Sequence, residues 1–295
     1  MTELLTAGVG PAPPRSLRRA LRANPLLSLA AGLGVALVLI ALFAPLLAPH
    51  PADAGSATHP LDTFLPPSAH HLFGTDPVGR DMFTRVLYGA RISLAVSAVV
   101  ISLSILVGLP LGVVAGALGG IVDTVLMRIT DIFLAFPALL LALALVAVLG
   151  PSVTNATIAI TITWWPWYAR LARGQAASVA GRPFVASCRA LGLSPARTIL
   201  RHVLPNSLTP VIIQASADVG GVILTAAALS FLGLGAQDPT PEWGLMVNQG
   251  EAYFTTQWWL VTFPGAAILL TALAFNLLGD GLRDVLDPRR GARQP

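Results

Sequence analysis

Long water-avoiding runs alternate with polar connections along this chain, and the alternation predicts six membrane-spanning helices. The runs fall at about 25–47, 92–115, 122–149, 152–171, 208–234 and 258–278, close to the roughly 20 residues a bilayer asks of a helix. The expected fold is therefore all-α and polytopic. A signal peptide is the competing reading of the first run, but its apolar core should be shorter. No small-x-small cleavage pattern follows Leu47, so the run reads as an uncleaved span. Pro110, Pro137 and the Gly220-Gly221 pair inside the runs read as packing or kink positions, which membrane helices tolerate.

One segment breaks the pattern. Residues 181–206, GRPFVASCRALGLSPARTILRHVLPN, are basic and semi-polar between two apolar runs. Pro183 suits the first position of a short helix and Gly192 the position just past its end. Ser194 is placed to cap a second short helix with Pro195 in its first turn, and Pro205 is expected to stop it. Phe184, Val185, Cys188 and Leu191 recur at helical spacing, an apolar stripe on a short helix edged by Arg182 and Arg189. Such a stripe in a connecting loop suits docking into another protein.

Composition sharpens the membrane reading. Of 295 residues 55% are hydrophobic and 11% charged, against about 25% charged in soluble domains. All 18 basic residues are arginine. Without lysine the chain has neither a P-loop lysine nor a Schiff-base amine, so any ATP hydrolysis belongs to another chain. The lone Cys188 excludes an internal disulfide and a Cys-rich metal site. The arginines are scattered among the spans, which does not describe a nucleic-acid-binding face.

The arginines also set an orientation. With the amino terminus in the cytoplasm, 15 of the 18 lie on the inner side and only Arg80, Arg85 and Arg91 outside, as the positive-inside bias requires. The expected layout is a cytoplasmic tail (1–23), a first span with its outer loop (24–91), a core (92–282) holding the cytoplasmic loop 174–206, and a second cytoplasmic tail (283–295). His50, His59, His70 and His71 in the outer connection read as solvated, since no pair has the i, i+4 spacing of a helical zinc site. Trp164, Trp165, Trp167 and Tyr168 read as an interfacial aromatic belt. Asp218 is the charge expected at hydrocarbon depth, facing either a cavity or a partner. Asp123, Arg128 and Asp131 read as structural pairing. Asp76, Arg80 and Asp81 are expected to fold a turn and an interfacial helix before the second span, and Asp280, Arg283, Asp284 and Asp287 to anchor the end of the last. No residue is nominated as catalytic and none as a metal ligand.

Four blocks carry a family resemblance. Residues 181–206 resemble the cytoplasmic "EAA" loop of permease subunits of binding-protein-dependent ABC importers, and HVLPN at 202–206 with Gly192 upstream resembles the peptide branch. GTDPVGRDMFTRVLYGARISL (74–94), LSFLGLG (229–235) and NLLGDGLRDVLDPR (276–289) are similar to dipeptide/oligopeptide C-type permeases. The likeness runs over about residues 20–290. Ala186-Ser187-Cys188 stands where the family usually has Glu-Ala-Ala, and Ala226 where it often has an acidic residue.

The resemblance implies a type I ABC importer permease fold in a bacterial inner membrane. It implies a homologous second permease, one or two ABC ATPase subunits and an extracytoplasmic peptide-binding protein as partners, besides lipid. ATP and Mg would be used by the ATPases, with no cofactor bound by this chain. Pro183, Phe184, Val185, Ala186, Ser187, Cys188, Arg189, Leu191 and Gly192 would form the coupling helix and its end, and Asp218 would line the translocation path. The implied cargo is a di- or oligopeptide. Nickel or another small solute is the alternative within the family, and a proton-driven secondary transporter the alternative outside it. A membrane enzyme is disfavoured, because neither a Gly-x-Ser-x-Gly elbow nor a His-Glu-x-x-His motif occurs.

Overall fold

The computed structural model describes residues 25–286; the expected tail 1–23 lies outside the described residues, as does the expected tail 283–295 from residue 287 on, while its start, 283–286, continues the last helix. Ten α-helices follow in chain order: α1 (Pro25–Leu47), α2 (Met82–Leu118), α3 (Gly120–Leu134), α4 (Ala138–Leu149), α5 (Val153–Ala180), α6 (Pro183–Ala190), α7 (Pro195–Thr198), α8 (Leu204–Phe231), α9 (Trp243–Glu251) and α10 (Trp259–Leu286). A π-helical turn, Ile199–Val203, fuses α7 to α8. Among the described residues extended pairing is limited to an isolated bridge between Thr75 and Asp81.

Among the described residues four helices are long and apolar enough to cross a membrane: Pro25–Leu47, Met82–Leu118, Pro195–Phe231 and Trp259–Asp284. The expected third span is broken. Helices α3 and α4 meet at 81° across residues 135–137, where Pro137 lacks an N–H and disfavours a helical conformation at the residue before it. Counting that pair as one span gives five. The fourth expected span, now α5, has the length at 28 residues but is rich in Thr and Trp and less apolar than the others. Three of its threonine hydroxyls are satisfied within the helix: Thr157, Thr161 and Thr163 donate to the carbonyls of Val153, Thr157 and Ile160 at 2.7, 2.8 and 2.8 Å.

Helix α5 is central to the bundle because α2 lies against it over the broadest contact in the chain. Gly108, Gly112 and Gly116 recur every fourth residue along one face of α2, and each meets the α5 backbone. A Cβ there would come within 2.5 Å of the Trp165 carbonyl oxygen, 2.1 Å of that of Ala169 and 2.3 Å of that of Arg173. Lipid tails give apolar helices no solvent-driven reason to associate, so close backbone approach through small residues supplies the contact instead. Ala169, Ala172 and Ala176 are the fully buried counterparts on α5. The two helices share a core with α8 that includes Val100, Val113, Ile160, Val211 and Leu229.

Two helix ends show why particular glycines are where they are. After α6, Leu193 N–H donates to Cys188 O at 3.1 Å and Gly192 N–H to Arg189 O at 3.0 Å, with Gly192 at φ +78°. After α8, Leu234 N–H and Gly233 N–H repeat the pattern on Leu229 O and Ser230 O at 2.9 and 3.0 Å. Both are Schellman closures, which need a residue in the left-handed region. Pro205, by contrast, does not stop a helix. The wide turn at Ile199–Val203 absorbs it, Leu204 N–H reaches back to Ile199 O, and the Asn206 side chain donates to His202 O at 2.7 Å.

Candidate functional site

Two places bear on function, one at the middle of α5 and α8 and one at the loop after α5. The first is a half-open cavity of about 500 Å³ lined by Trp164, Trp167, Arg170, Leu171, Gln214 and Asp218. Asp218 is half-buried on α8 and accepts from Gln214 Nε2 at 2.8 Å, one helical turn away. Behind it Tyr168 is fully buried, its hydroxyl close enough to feel the Asp218 charge. Part of the aromatic run expected as an interfacial belt thus lines this cavity. The helix continues nine residues past the expected end at 171, to Ala180, which moves Trp164–Tyr168 from its end to its middle. Trp164 and Trp167 face the cavity, while Trp165 meets the Phe133 ring edge-on with centroids 5.3 Å apart.

Arg170, on the cavity wall, also pairs with Asp131 of α3. One turn on, Arg173 forms a two-pronged pair with Asp123 at 3.0 and 2.6 Å. Asp123 and Asp131 thus serve structural pairing, but with arginines of α5 rather than with the Arg128 that their spacing placed beside them, and the amphipathic α3 is held along α5.

The second place is α6. Arg182 is its N-cap and Pro183 its first residue, and Ser194 caps the following helix by accepting from Arg197 N–H at 3.4 Å. Pro183, Phe184, Ala186, Ser187, Arg189, Leu191 and Gly192 are exposed. Val185 is fully buried and Cys188 half-buried, so the apolar stripe divides into an inner half that holds the helix down and an outer half that meets solvent. Leu191 keeps 80% of its surface exposed and Phe184 40%, the latter edge-on to the His202 ring with centroids 6.5 Å apart. Arg189 lines a small cleft with Leu118, Leu193, Pro195 and Ile199.

At the far end of α2, the 48–81 connection is folded rather than loose. Asp76 Oδ1 accepts from the N–H groups of Val78 and Arg80, both at 2.9 Å, closing the expected turn. Its Oδ2 binds Arg80 Nε at 2.6 Å, and Arg80 reaches across to Asp238 at 3.0 Å. Asp81 caps α2 by accepting from Thr84 N–H at 2.8 Å. Sequence spacing missed His50 and His71, which the fold brings to Asp81 from distant positions.

Residues 108–291 match the family described as binding-protein-dependent transport system inner membrane component, and residues 15–67 match the N-terminal TM domain of oligopeptide transport permease C. The chain belongs to this family of transport permeases. It is 50% identical over 274 residues to the probable D,D-dipeptide transport system permease protein DdpC of Escherichia coli K12, covering 93% of this chain and 91% of that one. It is 48% identical over 252 residues to the dipeptide transport system permease protein DppC of Alkalihalophilus pseudofirmus, covering 85% and 82%. Its fold is that of a chain in the MetNI methionine ABC transporter, solved in inward-facing conformations, with TM-score 0.55 at 18% identity over 70% of this chain and 98% of that one. The protein is a multi-pass inner-membrane permease subunit of an ABC importer, a transport protein whose family works with ATPase and binding-protein partners. The α3–α4 break and the α6 loop are parts of the permease.

Proposed function

We propose that this chain forms one half of the membrane path of an ATP-driven importer of short peptides, with Asp218 on the path and α6 as the lever that an ATPase moves. The observation that carries the cargo reading is the cavity wall. A carboxylate (Asp218), a guanidinium (Arg170) and two indole faces (Trp164, Trp167) share one opening. A short peptide is a zwitterion with apolar side chains. Its ammonium suits a carboxylate flanked by aromatic faces, and its carboxylate suits an arginine. The names of the dipeptide permeases it resembles support the same cargo.

The exposed Phe184 and Leu191 support docking of α6 in an apolar cleft of an ATPase, and the buried Val185 makes α6 rigid enough to transmit a displacement. The partners are then a homologous second permease, one or two ABC ATPase subunits that use ATP and Mg, and an extracytoplasmic peptide-binding protein. In this arrangement both termini and α6 are cytoplasmic, as the arginine distribution supports.

The test is uptake of a labelled dipeptide into vesicles holding the full complex. Uptake should need ATP, both ATPase sites and the binding protein. Uptake by this chain alone under a proton gradient, or preference for Ni²⁺ over dipeptide, would overturn the reading.

A further inference from the structure

Three positions of the connection between α1 and α2 converge where α1 ends and α2 begins. His50 follows α1, His71 lies in the 48–81 connection and Asp81 is the N-cap of α2. His71 Nδ1 is 3.0 Å and His50 Nδ1 3.9 Å from the same Asp81 oxygen, Oδ1, and the three donor atoms all lie within 4.8 Å of one another. The two imidazole rings face each other with centroids 5.3 Å apart. We propose that His50, His71 and Asp81 bind a single first-row transition-metal dication, with zinc the best match.

The carboxylate is prepared for such a role. Asp81 is fully buried, its Oδ2 is occupied by the Thr84 N–H, and its backbone N–H is held by Asp53 Oδ2 at 2.8 Å, so Oδ1 is fixed and directed at the imidazoles. Among the described residues no arginine reaches it: Arg80 is engaged by Asp76 and Asp238, and Arg85 by Asp76.

The donor set selects the metal. Two imidazoles and a carboxylate suit zinc and its neighbours, whereas magnesium and calcium prefer all-oxygen sites. Tetrahedral zinc with bonds of about 2.0–2.1 Å places its ligands roughly 3.3 Å apart. The Asp81–His71 separation nearly meets this already. The His50 ring, with 43% of its side chain exposed, has room to swing in, and its solvent side leaves the fourth position to water. Binding replaces the His71–Asp81 hydrogen bond with two coordinate bonds, His71 ligating through a deprotonated Nδ1 and carrying its proton on Nε2. The metal would tie the end of α1 to the start of α2, stabilising this corner by linkage.

The full complex in nanodiscs is titrated with Zn²⁺ against a chromophoric chelator, and with Co²⁺ read by visible absorption. The wild type should take up one ion here, and Mg²⁺ should not compete. Because outer-shell partners alone change metal affinity by about 10–100-fold, His50→Asn, His71→Gln and Asp81→Asn should each weaken zinc at least tenfold and abolish the cobalt bands. Asp81→Asn retains an oxygen to cap Thr84 N–H, and His50 is exposed enough that His50→Asn leaves the fold intact, so at least one variant reports on the metal alone. No stoichiometric zinc in the wild type, or equal zinc affinity in His50→Asn, would establish a metal-free His–Asp staple and overturn the proposal.

Discussion

The α-carbon of Gly112 lies so close to α5 that a methyl group on it would sit 2.1 Å from the Ala169 carbonyl oxygen. That oxygen belongs to a helix backbone and cannot move aside as a side-chain tip would. Gly112→Val should therefore push α2 and α5 apart and destabilise the subunit by about 1–3 kcal/mol or more. Gly174→Ala is the control. It sits on the same α5 helix but faces open space, and alanine there should add roughly 0.5–1 kcal/mol of helix stability. Thermal unfolding of the two variants in one detergent checks the pair; equal midpoints would show that the close approach has no energetic consequence.

The α6 helix predicts two different failures from adjacent positions. Phe184 and Leu191 are exposed, so Phe184→Asp or Leu191→Asp should leave the subunit folded and inserted but uncouple ATP hydrolysis from uptake, because an unpaired carboxylate is excluded from an apolar cleft. Val185 is fully buried against the chain's own core. Val185→Ala should lower stability by roughly 2 kcal/mol, and Val185→Asp should prevent stable assembly. Peptide-stimulated hydrolysis and uptake are measured on the same vesicles. Normal coupling in both exposed-face variants would remove α6 as the lever.

Local chemistry made much of this legible. Gly192, Ser194 and Asp81 act as the end and cap residues their types suggest, because capping depends on a handful of neighbouring atoms. The first span runs 25–47 as the apolar pattern implies. What escaped depended on non-local geometry. Pro205 would stop an ordinary helix, but a π turn three residues earlier accommodates it. The Trp164–Tyr168 cluster would end a span that closed at 171, but the packing of Ala172, Ala176 and Val179 carries α5 further and leaves the cluster mid-helix. The stripe on α6 divides at Val185 because the core beneath it takes one side, which spacing alone cannot reveal. His50, His71 and Asp81 share no sequence period; only the folded connection unites them. The glycine ladder at 108, 112 and 116 recurs every fourth residue, but small residues are common in the spans and the repeat alone does not say which helix it meets.

A pH dependence follows from Glu242, the N-cap of α9, whose Oε2 accepts from Leu245 N–H at 2.9 Å. Burial pushes its carboxyl up from the ordinary glutamate value of 4.5, while the N–H groups of Gly244 and Leu245 and the Ser230 hydroxyl pull it down without prevailing. The folded chain then holds this proton more tightly than the unfolded chain. The resulting stabilisation is complete below pH 4.5 and is lost as the pH rises through the folded value. Glu242→Gln keeps an oxygen for the cap and removes the ionisation. Its melting temperature should gain on the wild type as pH increases from 4.5 to 8. A constant offset across that range would mean that Glu242 is not titrating in the folded protein.

Asp218 offers the sharpest separation of cargo recognition from architecture. Its side chain lines an open cavity and accepts a hydrogen bond from Gln214 on the same helix, so an amide of the same shape preserves the packing. If the carboxylate meets a peptide's ammonium, Asp218→Asn should slow uptake of a free dipeptide about tenfold, equivalent to ~1.4 kcal/mol. Uptake of the N-acetylated dipeptide, which brings no ammonium, should be as slow in the wild type as in the variant. A purely structural Asp218 gives a different result: both cargoes slow together, and the melting temperature falls with them. The two-by-two comparison of wild type and Asp218→Asn against free and acetylated peptide therefore distinguishes a charge that reads cargo from one that holds α8 in place.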